Sequence, residues 1–422
     1  MNYSSLDILS FVEQNDVKFI RLAFSDIFGR MKNIAILPTE LKKAFEYGMP
    51  IDVSAYLGKD YVTGHELRLF PIASTLTSMP WRPKTGSVIR LLCDIKELDG
   101  STFELDQRSR LVDYYNYLSK LGYCCDAGTE CEFYLFERDN DGQPTHKPHD
   151  YANYLDTSPL DKCENIRREI CISLEEMGLS PKTSRHKYGP GQNEIDFTNA
   201  DIVSCADNFN QFKVAVKTIA YQNGLFCSFL PKPIPDKTGS ALIVTMNILK
   251  DGNRIFSLDK EGSMNSCGEH FIAGVLNRLP EMSCFLNANT NSYDRLNQIK
   301  KDNSMPNLIR IQPDKTSQRI AICSPDPMCN IYSVLNLIMH AGIEGIEHNT
   351  LLKDVKCKDF SSLPSSFEEA LSIANDSEFV HNVVGSKTMQ SLQDSLGEIV
   401  REYNLTDDKS AFNYNTYLKY YG

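Results

Sequence analysis

A chain of 422 residues, 41% apolar and 23% charged, has the composition of a folded globular protein and is long enough for two hydrophobic cores. Lys and Arg number 44 against 55 Asp and Glu, so the net charge of -11 repels nucleic acid and anionic membrane surfaces and argues against a polyanionic partner. Thirteen cysteines with no CxxC or zinc-ligand spacing, behind an opening MNYSSLDILSF that lacks a basic-then-apolar leader, read as reduced thiols in a cytoplasmic protein.

In chain order, VKFIRLAFSDIFGR (17–30) alternates apolar and polar residues and breaks at Asp26 to Gly29, a strand-and-turn signature that opens a small β-rich domain. SVIRLLCDIKE (87–97) alternates again. The turn-rich ELDGST then precedes a helical pattern, LVDYYNYLSKLG (111–122), so the spacing predicts a domain boundary near residue 105. Beyond it, strands such as CEFYLF and ALIVTMNIL alternate with helices at 163–178 and 206–224, each ended by a glycine. The polar segment 138–149 reads as an exposed loop without a motif. No uninterrupted apolar run reaches the ~18 residues of a membrane helix, the nearest being the segment around Ile331 to Ile343, and no membrane partner is expected. At the tail, Tyr414, Tyr417 and Tyr421 fall at helical spacing, a packed stripe that could lie between subunits.

The chemistry-bearing residues sit between these elements. Residues two apart on a strand share a face, so Glu130 and Glu132 of TECEFYLF point the same way and together invite a cation. Taken alone, such a pair is more often a solvated strand face. DKTGSA (236–241) lacks the GxxxxGK[ST] spacing of a phosphate-cradling loop, and a Cys–His nucleophile has no local signature.

AGTECEFYLFE (127–137), PGQNEIDF (190–197), FLPKPIPDKTGSALIVTMNI (229–248), NSYDRL (291–296) and IAICSPDPMCNIY (320–332) together resemble the glutamine synthetase family over essentially the whole chain. That family reads GxExEFFLF, AGQNE, PKPxxxxNGSGMHxH, NSYKRLxPG and RIEVRFPDPxxNPY at these places. The resemblance implies an α+β fold, with a β-grasp-like domain at 1–105 and a catalytic domain at 106–422 built on a curved, mostly antiparallel half-barrel sheet backed by helices. It also implies a homo-oligomer, hexamer or dodecamer, with sites between subunits.

By the same resemblance Glu130 and Glu132 belong to two different divalent-metal sites, and Glu194 joins Glu132. His186, eight residues earlier, falls where the family has the remaining glutamate of that site and could favour Mn²⁺ or a softer ion over Mg²⁺. Asp52 matches the aspartate that a neighbouring subunit lends to an ammonium site. Arg295 matches the arginine gripping the substrate carboxylate, Gly239 the glycine whose backbone meets glutamate, and Arg310 and Arg319 the phosphate-side or nucleotide-side arginines.

Departures cluster on the other metal site, where Ile243 stands for a histidine and Ala321 for a glutamate. Elsewhere Thr238, Thr245, Met305 and Cys323 replace an asparagine, a histidine and two arginines, and Lys301 falls near the flap glutamate. ATP with Mg or Mn is the cofactor set the family implies. Two functions follow. One is a glutamine-synthetase-like homologue without normal turnover, binding an amino acid or nucleotide and pairing with itself or an active ligase subunit. The other is an ATP-dependent carboxylate–amine ligase with altered metal and substrate.

Overall fold

The computed structural model describes residues 3–58, 64–82, 85–258, 264–305, 307–313 and 318–421. The first alternating segment forms the strand Val17–Ser25, which pairs antiparallel with Met31–Ile36. Asp26 closes the turn between them, accepting hydrogen bonds from the Phe28 and Arg30 backbone and from the Arg30 guanidinium at 2.7 Å. Val17–Ser25 also pairs in parallel with Ser87–Lys96, and Glu66–Pro71 and Met49–Asp52 extend the sheet beyond it. Leu22, Leu67, Leu69 and Leu91 fill the core beneath with no exposure.

After the small domain, Asp106 caps the helix Gln107–Lys120 by accepting from the Arg108 and Ser109 amides, which starts the helix four residues ahead of the apolar pattern. The strand Tyr123–Arg138 is the hub of the second, ten-stranded sheet. The main path runs Ile309–Pro313, Gln318–Ile322, Leu242–Lys250, Tyr123–Arg138, Gln192–Phe197 and Pro181–His186, each pair antiparallel. On the helix side, Cys131, Phe133 and Leu135 are fully buried, with Phe133 edge-on to Phe212 of the helix Ile202–Gln222 at 6.1 Å between centroids. Apolar side chains on one face and acids on the other are the strand's period of two made physical.

Two expectations change. The segment 138–149 is a hairpin rather than a structureless loop: Pro144–Pro148 pairs back onto Tyr123–Arg138 across a turn in which Asp139 accepts from the Asp141 and Gln143 amides. The tail tyrosines pack within their own chain, where Tyr417 is 2% exposed and its hydroxyl accepts from the Phe229 amide, while the Tyr414 ring lies tilted against His146 with centroids 3.9 Å apart. The side chain of Tyr421 lies outside the described residues. Arg108 ties the two parts of the chain together, gripping Asp207 of Ile202–Gln222 in two hydrogen bonds (2.9 and 3.0 Å) and reaching Asp94 of Ser87–Lys96 at 3.3 Å. Among the described residues no helix is long and apolar enough to cross a membrane.

Candidate active site on the acid-lined face of the large sheet

Register places the acids. Glu132 lies opposite Glu194 and Glu130 opposite Asp196, so four carboxylates share one face of two adjacent strands. On the next strand Ile243 faces Glu130, and Thr245 faces both Gly128 and Ala321, which in turn opposes Arg310. The same face therefore runs from Arg310, past the small side chains at 321 and 245, to the acids. Gln312 donates to Glu130 at 3.3 Å, while Arg319, opposite Gln312, reaches Asn199 at 3.4 Å. Arg310 lies against the buried thiol of Cys323.

Beyond the acids, the hairpin strand Pro181–His186 ends on Arg185 and His186 and is followed at once by Lys187, three consecutive basic residues whose alternation divides them between faces. Arg185 lies opposite Glu194 and contacts Glu194 Oε1 and Asp196 Oδ2, each at 2.5 Å. Lys187 Nζ sits 2.9 Å from Glu132 Oε1 and 2.9 Å from Glu194 Oε2. Burial works against the ammonium charge, but the two carboxylates outweigh it and hold Lys187 well above the ordinary lysine value. Burial likewise opposes the Glu194 charge, yet Lys187 and Arg185 prevail and hold that carboxyl below its usual range. Glu132 is pushed upward, first by burial and then by Glu194, with the Lys187 ammonium 2.9 Å away pulling it part of the way back. Asp196 is pushed up to about 6, first by burial and then by Glu194.

His186 does not join the acids. Its side chain is completely buried on the opposite face, where Nε2 meets Asp150 Oδ1 at 2.9 Å and Nδ1 meets the Lys187 carbonyl at 2.7 Å. The physical reason is strand parity: Arg185 pairs with Glu194, so His186 must look away from it. Around His186, ligand atoms of Asp150, Asp161 and Cys163 lie within 4.8 Å of one another, a grouping able to hold a metal. These acids are already engaged: Asp161 pairs with Arg167 at 2.5 Å, and Asp150 accepts from the Gly191 and Lys162 amides. Burial and Asp150 push the Cys163 thiol far up, which removes it as a nucleophile.

The remaining predicted residues form a second focus. Glu132 Oε2 accepts from the Ala241 amide at 2.8 Å and from Gln192 at 3.3 Å, and Gln192 also donates to the Gly239 carbonyl at 3.0 Å. A Cβ on Gly239 would lie 2.6 Å from the Pro231 carbonyl oxygen and 2.7 Å from Arg295 Cγ, so glycine lets this loop close over the arginine. Arg295, on the helix Thr290–Asp302, is 2% exposed. Its Nη2 donates to Asn287 Oδ1 at 3.0 Å and to the Ser324 carbonyl, while Nε and Nη1 are buried without a hydrogen-bond partner. Asp52 is exposed on Met49–Asp52 and accepts from the Ser54 amide at 2.8 Å; Lys301 is exposed at the end of Thr290–Asp302, and Met305 is half-buried against the core. Sequence reasoning missed Arg185, Lys187, Gln192 and Asp150. The alternation of RHK against the QNE strand is the signal that finds the first two.

The fold and this face define a β-grasp domain followed by a catalytic sheet that presents carboxylates and arginines on one side. The glutamine synthetase catalytic domain matches residues 104–409 and the glutamine synthetase beta-Grasp domain matches residues 16–98. Glutamine synthetases of Clostridium saccharobutylicum (37% identical, 91% of this chain and 92% of the relative) and Methanosarcina mazei (34%, 90% and 90%) align over nearly the full length. A solved GmaS/ADP complex shares the fold at a TM-score of 0.83 and 22% identity, covering 95% of this chain and 97% of that one. The chain belongs to the glutamine synthetase family.

Proposed function

We propose that this chain is an ATP-dependent carboxylate–amine ligase of the glutamate–ammonia type, with altered cation and amine requirements. The observation that carries the reading is Arg295, a buried guanidinium with two unpartnered nitrogens against Gly239. Asp326 and Glu132 offset the cost of burying the Arg295 charge only in part, and Nε and Nη1 stay unbonded, so the fork suits a further carboxylate. The full-length likeness to glutamine synthetases supports ligase chemistry.

In this reading Arg295 and the Gly239 backbone hold glutamate. Arg310 and Arg319 face the nucleotide. A glutamate carboxylate oxygen attacks the γ-phosphorus of ATP and ADP leaves; the amine nitrogen then attacks the acyl carbon, phosphate departs, and Asp52 of a neighbouring copy takes the amine proton. Asp52 is exposed in the small domain, which suits a residue lent across a subunit boundary in a hexamer or dodecamer. Domains of 1–105 and 106–422 and a cytoplasmic location complete the proposal.

The family generally uses Mg or Mn. The residues on this face do not fit those ions: Ile243 and Ala321 offer no donor beside Glu130, and Glu132 and Glu194 already hold Lys187. That poverty of ligands favours a second reading, a homologue that binds glutamate or nucleotide without turnover. ADP release by the purified protein with ATP, glutamate and a panel of amines, with and without EDTA, separates the two. The ligase reading expects release that needs both acid and amine and falls by about 10² or more in Arg295→Lys, where the fork is lost. No release above background with any amine supports the second reading.

A further inference from the structure

The four oxygens of Glu132 and Glu194 are all taken by donors of the protein itself. Glu132 Oε1 meets Lys187 and Oε2 meets the Ala241 amide and Gln192; Glu194 Oε1 meets Arg185 and Oε2 meets Lys187. Glu194 is 2% exposed, and the Lys187 side chain is 16% exposed with the Tyr154 ring 5.7 Å from its ammonium. Two buried carboxylates without a countercharge would repel and neutralise, so something cationic belongs between them. Magnesium would require about six oxygen ligands at roughly 2.0–2.1 Å, and to gather them here it would have to evict a lysine held by two ion pairs.

We propose that Lys187 is a tethered cation standing where a divalent metal would stand between Glu132 and Glu194, with Arg185 as its partner, so that this pair of glutamates is charge-balanced without metal. An ammonium is a compact point charge with three donors and can serve two carboxylates at once, whereas the planar fork of Arg185 suits the parallel edges of Glu194 and Asp196. This assignment concerns cation occupancy and holds whether or not the chain turns over ATP.

The test reads metal binding and unfolding rather than activity. Mn²⁺ binding followed by electron paramagnetic resonance and titration calorimetry, together with thermal unfolding, is measured on the wild type, Lys187→Met and Glu132→Gln. For the wild type we expect no Mn²⁺ whose binding depends on Glu132 and a melting temperature unmoved by EDTA. Lys187→Met is expected to melt lower, to gain Mn²⁺ affinity by about tenfold or more, on the scale by which neighbouring groups tune metal sites, and to recover stability when Mn²⁺ is added. The wild-type measurements stand alone if Lys187→Met does not fold. Stoichiometric Mn²⁺ in the wild type that disappears in Glu132→Gln would overturn the assignment, as would a Lys187→Met protein whose Mn²⁺ affinity equals that of the wild type.

Discussion

Single residues decide what this site can do, and Gly239 shows how closely. Its missing side chain lets the Pro231 carbonyl and the Arg295 stem approach, and its own carbonyl receives Gln192. Gly239→Ala is therefore expected to cost about 1–3 kcal/mol, since a methyl there meets backbone that cannot move aside cheaply. In the ligase reading glutamate is expected to raise the melting temperature of the wild type and not that of Gly239→Ala; a variant that melts and binds glutamate like the wild type would refute the close approach. At this scale the sequence was partly legible. Glu130, Glu132, Glu194, Gly239 and Arg295 were found by their motifs, and the structure gathers them on or beside one face. His186 falls on the other face, and spacing along the chain does not show how a hairpin faces. In a strand pair the cross-strand partner of an acid fixes the face of its neighbours, and Arg185 opposite Glu194 puts Lys187 on the acid side as well.

At the scale of elements, the strands were legible from their alternation and the helices from their periodicity, while ends and edges were not. The helix Gln107–Lys120 starts at an aspartate cap that an apolar pattern does not register, and the hairpin at Pro144–Pro148 is built of polar residues held by backbone pairing. Helix packing also places a titratable group that no motif marks. His340 of Ile331–Glu347 stacks on Tyr114 of Gln107–Lys120 with centroids 3.4 Å apart, and burial pushes it down to about 4 despite Glu344. Arg278, Glu281, Glu347 and His348 line the same cavity. A histidine kept neutral in the fold stabilises it above the unfolded value of about 6.5, and that stability drains away as pH falls from about 6.5 to 4, because the unfolded chain then binds the extra proton. The loss attributable to His340 is up to about 3 kcal/mol. His340→Gln should flatten the urea-unfolding free energy across this window relative to the wild type, and an unchanged slope would show that His340 titrates normally.

For the whole molecule, the net charge, the two-domain division and the family were legible because they rest on many residues at once. The internal packing of the tail was not, since a tyrosine stripe looks the same whether its own chain or a neighbour covers it. The tie between the parts is the bidentate Arg108–Asp207 pair with its reach to Asp94, joined by Tyr332, whose hydroxyl donates to Asp207 at 2.7 Å. Such a buried pair sets geometry more than net stability: it orients Arg108 so that its remaining nitrogen meets Asp94 of the small domain at 3.3 Å.

The proposed chemistry joins nucleotide, acid and amine in one outcome, and an isotope reports it most directly. Glutamate labelled with ¹⁸O in its γ-carboxylate is incubated with ATP, amine and the wild-type protein, and the inorganic phosphate is analysed by mass spectrometry. Acyl phosphate formation transfers one labelled oxygen from the carboxylate to phosphate, so the ligase account predicts singly ¹⁸O-labelled phosphate in step with ADP. Phosphate released without label, or no phosphate at all, would contradict it.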